Sequence, residues 1–373
     1  MENNISKVNS LGQSIWYDNI SKKMIVSGEL KGLIDNGISG LTSNPTIFFK
    51  AITGSTDYDK QLNELASQTS DVEAIYEHLV IDDIRAVADL LKSTYDKTDG
   101  ADGYVSLEVN PNLAHETDKT IEEATRLFET VNRKNLMIKV PATPAGIPAI
   151  RTLIGKGINV NVTLIFSLGA HRNVMEAYIA GLEDFDRNGG DISKVASVAS
   201  FFVSRLDTSI DAELGEMSKD CKVNTDILLG KAAIANAKLA YESFCSMFGS
   251  ERFEKLRNKG ALVQRPLWAS TSTKNPEYRD VLYIEQLMGP DTVNTIPPAT
   301  LDAFIDHGIA ENTILNDIDD AKDVMGFLKD SGIDVDQVTS KLLKDGVDAF
   351  SKSFEQILSN LEAKRSVLVP LTQ

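Results

Sequence analysis

Eight short apolar runs, each ending on a polar or ionisable side chain and each followed by a helix-patterned stretch, constrain this chain more than anything else in it. The runs are Ser14–Asp18, Gly40–Ile47, Gly103–Val109, Asn135–Pro141, Ile158–Ile165, Val195–Val203, Leu262–Ser270 and Thr292–Ile296. Strands that alternate with helices form parallel sheets. At the strand ends stand Asp18, Asn44, Glu108, Lys139, Asn161 with Thr163, Ser200, Ser270 and Thr295. A closed barrel gathers such residues into one ring at its C-terminal mouth. The expected fold is therefore α/β, a single (β/α)8 TIM barrel with extra helices. One barrel domain is expected over 1–373, with a helical excursion at 48–99 and a C-terminal helical extension from about 310 to 373. A doubly wound open sheet is the alternative. It needs a phosphate-binding glycine fingerprint, and no Gly-x-Gly-x-x-Gly follows a strand here.

Helical periodicity predicts helices over Ser21–Asp35, Ala74–Tyr95, Ala114–Arg133, Ala145–Lys156, Leu168–Leu182, Leu206–Met217, Thr225–Phe248, Ala321–Lys329 and Val335–Arg365, while residues 1–10 read as loose. A net charge of −16 argues against nucleic acid and anionic membrane surfaces as partners, so an anionic substrate requires a local basic pocket. No apolar run reaches about 18 residues, the length that spans a bilayer, and the N-terminus lacks a secretory or transit pattern. Two cysteines, Cys221 and Cys245, suit a reducing compartment, and a cytoplasmic location is expected.

Among the runs, Asn135–Pro141 is the unusual one, because Lys139 interrupts the apolar residues Leu136, Ile138 and Val140. Burial disfavours an ammonium and makes the neutral amine available. A neutral amine facing a cleft attacks carbonyls and forms a Schiff base, although a strand-end lysine can equally snorkel to solvent. Schiff-base chemistry needs acids nearby, and Asp18 and Glu108 fall on strand ends of the same ring. Each carboxylate can also be a salt-bridge partner only. Asn44, Asn161 and Thr163 suit substrate hydroxyls and a water, or a mutually bonded core; Arg205 and Lys274 suit a phosphate, or are solvated loop charges. The histidines, His78, His115, His171 and His307, lack ligand spacing, so no metal is expected. No Gly-x-Ser-x-Gly elbow marks a serine nucleophile.

These residues resemble the transaldolase family. The segments Leu41-Thr42-Ser43-Asn44-Pro45-Thr46-Ile47-Phe48 and Ile138-Lys139-Val140-Pro141-Ala142-Thr143 are similar to its two signatures. Ser106–Pro111, Asn159–Ser167 and Ala199–Asp207 match the strands between them. Arg265–Ser270 and Asn294–Pro297 resemble the final strands of its long bacterial-type branch. The resemblance implies a class I aldolase barrel in which Lys139 forms the Schiff base. It also implies that Glu108 moves protons through a water held by Thr163, and that Asp18 deprotonates the substrate C4 hydroxyl. Asn44, Asn161 and Ser200 are then expected around the dihydroxyacetone unit, and Arg205, Ser270 and Lys274 around the phosphate. Lys274 stands after the seventh strand, where other branches carry arginine. Phe201 and Ser204 replace a proline and a glycine of the better-known branch. The implied partners are sugar phosphates of the non-oxidative pentose phosphate pathway, and no cofactor is implied. The alternatives are a fructose-6-phosphate aldolase and a non-catalytic sugar-phosphate-binding barrel.

Overall fold

The structure, a computed structural model, describes residues 3–219 and 226–368. Cys221 and the predicted helix start at Thr225 lie outside the described residues. The strands are β1 (Gln13–Tyr17), β2 (Gly40–Thr42), β3 (Val105–Glu108), β4 (Leu136–Pro141), β5 (Val160–Ile165), β6 (Ser197–Phe202), β7 (Arg265–Ala269) and β8 (Thr292–Ile296). All pair in parallel in sequence order, and β8 closes onto β1 with Gln13 opposite Thr292 and Tyr17 opposite Ile296. This is the (β/α)8 barrel expected from the alternation.

Side-chain volume fills the barrel rather than leaving a pore. Trp16 is fully buried across the β1–β2 seam. A Cβ on Gly40 would come within 2.4 Å of its indole, so only glycine fits opposite it. The helices outside bury one face each. Val72–Lys97 is capped by Asp71, whose carboxylate accepts from the backbone of Glu73 and Ala74, and it turns Ile75, Leu79, Ile84, Val87 and Leu91 inward.

Three local expectations are corrected. Residues 4–10 are not loose: Asn4–Ser10 is a helix capped by Asn3, with Ile5 and Val8 buried. The single helix over Ser21–Asp35 is two, Lys22–Ser27 and Glu29–Asp35, because Gly28 at φ +83° breaks the ladder. Asn44 is not a strand end but the N-cap of Pro45–Thr53; β2 stops at Thr42, and the Asn44 Oδ1 accepts from Ile47 N at 3.0 Å.

The excursion after β2 consists of Pro45–Thr53, Asp59–Ala66 and Val72–Lys97. The C-terminal extension carries Ile318–Asp330 and Val335–Leu368. The last helix reaches the mouth, where Ser353 and Thr46 share a 2.9 Å hydroxyl contact, and Lys364 pairs with Asp59 at 3.1 Å. Among the described residues no helix is long and apolar enough to cross a membrane.

Candidate active site

Strand register places the reactive groups. Glu108 closes β3 opposite Lys139 of β4, and Lys139 lies opposite Asn161 of β5. Side chains at one level of a parallel barrel point into the same layer. The Lys139 Nζ donates to Ser43 O at 2.9 Å and lies 3.6 Å from Glu108 Oε2, and both side chains are only 6% exposed. Burial pushes the Glu108 carboxyl up to about 7; the Lys139 charge opposes the rise and Asp18 adds to it. Among the described residues neither Glu108 Oε2 nor the fully buried Thr163 Oγ1 has a hydrogen-bond partner. Buried polar atoms are nearly always paired, so two orphan oxygens on β3 and β5, either side of the strand that carries Lys139, mark a place built for something other than stability. Just beyond Thr163 the β5–β6 register shifts, and Leu164 sits in the left-handed region at φ +59°.

Asp18 continues β1, its backbone N donating to Ile296 O at 2.9 Å. Thr42 donates to Asp18 Oδ1 at 2.6 Å and lies 2.6 Å from the Thr295 hydroxyl. Burial raises the Asp18 pKa, while the Thr42 hydrogen bond, Lys139 and Arg205 pull it back. Asn161 is clamped on both sides, its Nδ2 donating to Ser106 Oγ at 3.0 Å and its Oδ1 accepting from Ser200 Oγ at 2.6 Å.

A cavity of about 630 Å³ opens over this layer and admits a drug-sized polar molecule. Asp18, Asn44, Lys139, Thr163, Ser200, Arg205, Ser270 and Lys274 all line it. On one wall the Arg205 guanidinium lies 5.3 Å from the Phe202 ring centre. Ser270, at φ +57°, meets the Ser204 hydroxyl at 2.9 Å, and Lys274 donates to Ser272 Oγ at 2.7 Å. Burial, then the charges of Arg205 and Lys50, hold the Lys274 ammonium below its usual range. The cavity thus carries a cationic wall on a chain of net charge −16, the local basic pocket that an anionic substrate requires.

Residues 15–361 match the family model described as Transaldolase/Fructose-6-phosphate aldolase. The chain belongs to this family. It is 47% identical to a transaldolase of Trichodesmium erythraeum over 377 residues, covering 99% of both chains. It is 48% identical to a transaldolase of Mycolicibacterium smegmatis over 95% of both, and 47% identical to transaldolase 2 of Nostoc punctiforme over 99% of both.

Within this transaldolase-family barrel, eight of the ten residues singled out from the sequence line the cavity; Glu108 and Asn161 stand behind its wall. Glu108 reaches Lys139 from the side, and Asn161 is fully buried between its two clamps. Sequence reasoning missed the groups that hold the others: Thr42 under Asp18, Ser106 beside Asn161, and Lys50 and Phe350 on the cavity rim. Thr42 and Ser106 were legible as polar residues on strands already placed. Phe350 carried no local signal.

Proposed function

We propose that the chain works as one barrel domain in which Lys139 is the Schiff-base nucleophile of a transaldolase, in a cytoplasmic setting. The chain is a transaldolase: it moves a dihydroxyacetone unit from sedoheptulose 7-phosphate to glyceraldehyde 3-phosphate, giving erythrose 4-phosphate and fructose 6-phosphate. The 3.6 Å pairing of Lys139 with Glu108 inside the closed barrel carries the assignment of roles.

The proton balance follows from that pair. Lys139 and Glu108 together hold one proton, which passes to the carboxylate and leaves the amine free to attack the C2 ketone. The carbinolamine hydroxyl then takes a proton from Glu108 and departs as water, leaving an iminium beside a carboxylate. A water bridging the orphan oxygens of Glu108 and Thr163 is the carrier in this reading. Asp18, oriented by Thr42, accepts the C4 hydroxyl proton. The C3–C4 bond breaks, its electron pair flows to nitrogen, and the aldose leaves while the enamine remains on Lys139. Addition to the second aldehyde runs the same steps backwards.

Asn44 and Asn161 bind the dihydroxyacetone hydroxyls in this proposal; Asn161 keeps one of its two amide hydrogens for the task. Arg205, Ser270 and Lys274 hold the phosphate, Arg205 in a fork that suits its oxygens. Incubation with fructose 6-phosphate and erythrose 4-phosphate tests the reading. Sedoheptulose 7-phosphate should form without stoichiometric free dihydroxyacetone. Release of dihydroxyacetone as the main product contradicts transfer.

A further inference from the structure

Glu108 and Lys139 touch each other but face different spaces. Lys139 lines the large cavity; Glu108 does not, and lines a second, smaller one behind it. This rear chamber measures about 40 Å³ and lies between Tyr76, Val80, Leu127, Phe48 and Phe354. One water needs roughly 10–15 Å³ on this measure, so the chamber holds a very few waters and no sugar. Its lining is mixed, with Ser43, Asn44 and Asn110 among the apolar side chains and carboxylates at both ends. At the inner end is Glu108. At the outer end stand Glu73, Glu77 and Glu123; Asn110 donates to Glu73 at 3.2 Å, and Arg126 bridges Glu77 and Glu123. Tyr76 lines the chamber, its ring edge-on to Phe354 at 5.4 Å and to Phe48 at 6.5 Å. Burial and the neighbouring Glu108 carboxylate both hold its phenol above the usual range, which keeps it a proton donor at neutral pH.

The chemistry gives this space a use. Each cycle expels one water when the donor imine forms and consumes one when the product imine is hydrolysed. Between those events the enamine must meet an aldehyde and not water. We propose that the rear chamber is the binding site for the water that the reaction expels and later consumes, apart from the relay water between Glu108 and Thr163, with Tyr76 as the positioning residue that orients it on Glu108. Expelled water passes behind Glu108, is held there by the phenol and the carboxyl, and returns by the same route. The sugar cavity stays reserved for substrates during the enamine's lifetime. This proposal rests on the Schiff-base reading of Lys139.

The groups facing Glu108 are Lys139 from β4, Asp18 from β1, Tyr76 from the Val72–Lys97 helix, and at the outer end Glu73 and Glu77 of that helix with Glu123 of Thr117–Val131. In this proposal the Tyr76 hydroxyl reaches the ionised carboxylate through the chamber's water, so removing it moves the Glu108 titration upward. Leu127→Phe fills the chamber and leaves the phenol in place.

The test follows the time course of borohydride trapping and of turnover with fructose 6-phosphate in the parent, Tyr76→Phe and Leu127→Phe, each checked for native circular dichroism. Adduct on the parent's Lys139 secures the Schiff-base reading on its own; its absence removes that reading before the chamber is judged. In both variants imine formation and turnover should slow by ~10-fold, less than the ~10²–10⁴-fold of the acid–base group itself because Tyr76 only positions its water, with an unchanged KM for the donor. In Tyr76→Phe the acid limb of the pH profile should also move to higher pH. A parent-like trapping rate in either folded variant overturns the proposal. Tyr76→Phe keeps both ring contacts, so it decides alone if the bulkier replacement does not fold.

Discussion

Two carboxylates flank β3, one at each end, and their surroundings are opposite. Asp102, just before the strand, accepts from Trp16 Nε1 at 2.8 Å, from Gly103 N at 3.0 Å and from the Ser14 hydroxyl, with Arg265 at 3.6 Å. Glu108, at the strand's far end, has the Lys139 ammonium at 3.6 Å, and its Oε2 has no hydrogen bond among the described residues. The first charge is fully occupied and ties β1, β3 and β7 together at the closed end of the barrel. The second is held in reserve. Its folded pKa, about 7, lies above that of an unfolded chain. Its stabilising contribution is therefore complete below about 4.5 and is lost as pH rises through about 7. A carboxylate whose burial costs stability at working pH, on the layer that holds the proposed nucleophile, points to chemistry; one saturated with donors points to architecture.

That contrast can be broken first at its reactive end. Glu108→Gln should lower kcat by ~10²–10⁴-fold, the usual weight of a general acid–base group, with the fold retained. Below about 7 the Glu108 carboxyl already carries its proton and cannot accept one in the first step; above it the carboxylate is free to do so. Parent activity should thus fall as pH drops through about 7, and a kcat/KM profile of Glu108→Gln should lack that limb.

Asp102→Asn should do the reverse. Arg265 loses its carboxylate in a half-buried setting, and stability measured by denaturant melts should fall by about 3 kcal/mol with kcat of the folded fraction unchanged. Arg205→Ala is expected to raise KM for phosphorylated donors by ~10–100-fold, the worth of a charged hydrogen bond, and to leave kcat nearly intact. Equal reactivity of unphosphorylated sugars in the parent would remove Arg205 from the phosphate site. The smallest effect belongs to Gly346→Ala, whose new Cβ meets Leu164 Cδ2 at 2.9 Å, one residue from Thr163. Steady-state assays should show kcat lowered by ~2–5-fold; Tm should hold, because alanine returns about 1 kcal/mol of helix propensity.

The barrel was readable because its two periods are local: alternating strands, 3.6-residue helices, and a polar residue where each strand ends. Lys139 was readable for the same reason, a charge inside an apolar run. What escaped was either short or distant. Asn4–Ser10 turns inward only Ile5 and Val8, too few apolar residues to stand out from a polar segment. Asn44 was placed at the mouth but misread as a strand end, although Asn-Pro is itself a cap followed by a favoured first helical residue. The contacts that finish the site are non-local: Thr46 meets Ser353 across 307 positions, and Tyr76 of the Val72–Lys97 helix lines one small chamber with Glu108 at the end of β3. No window of sequence contains both partners of either.

Everything turns on covalent capture at one amine. Reduction with borohydride in the presence of fructose 6-phosphate, followed by peptide mapping, reads it directly. The account predicts a reduced three- or six-carbon adduct on the peptide that carries Lys139, and none in Lys139→Ala. An active enzyme that yields no adduct, or one that is labelled at another lysine, contradicts it.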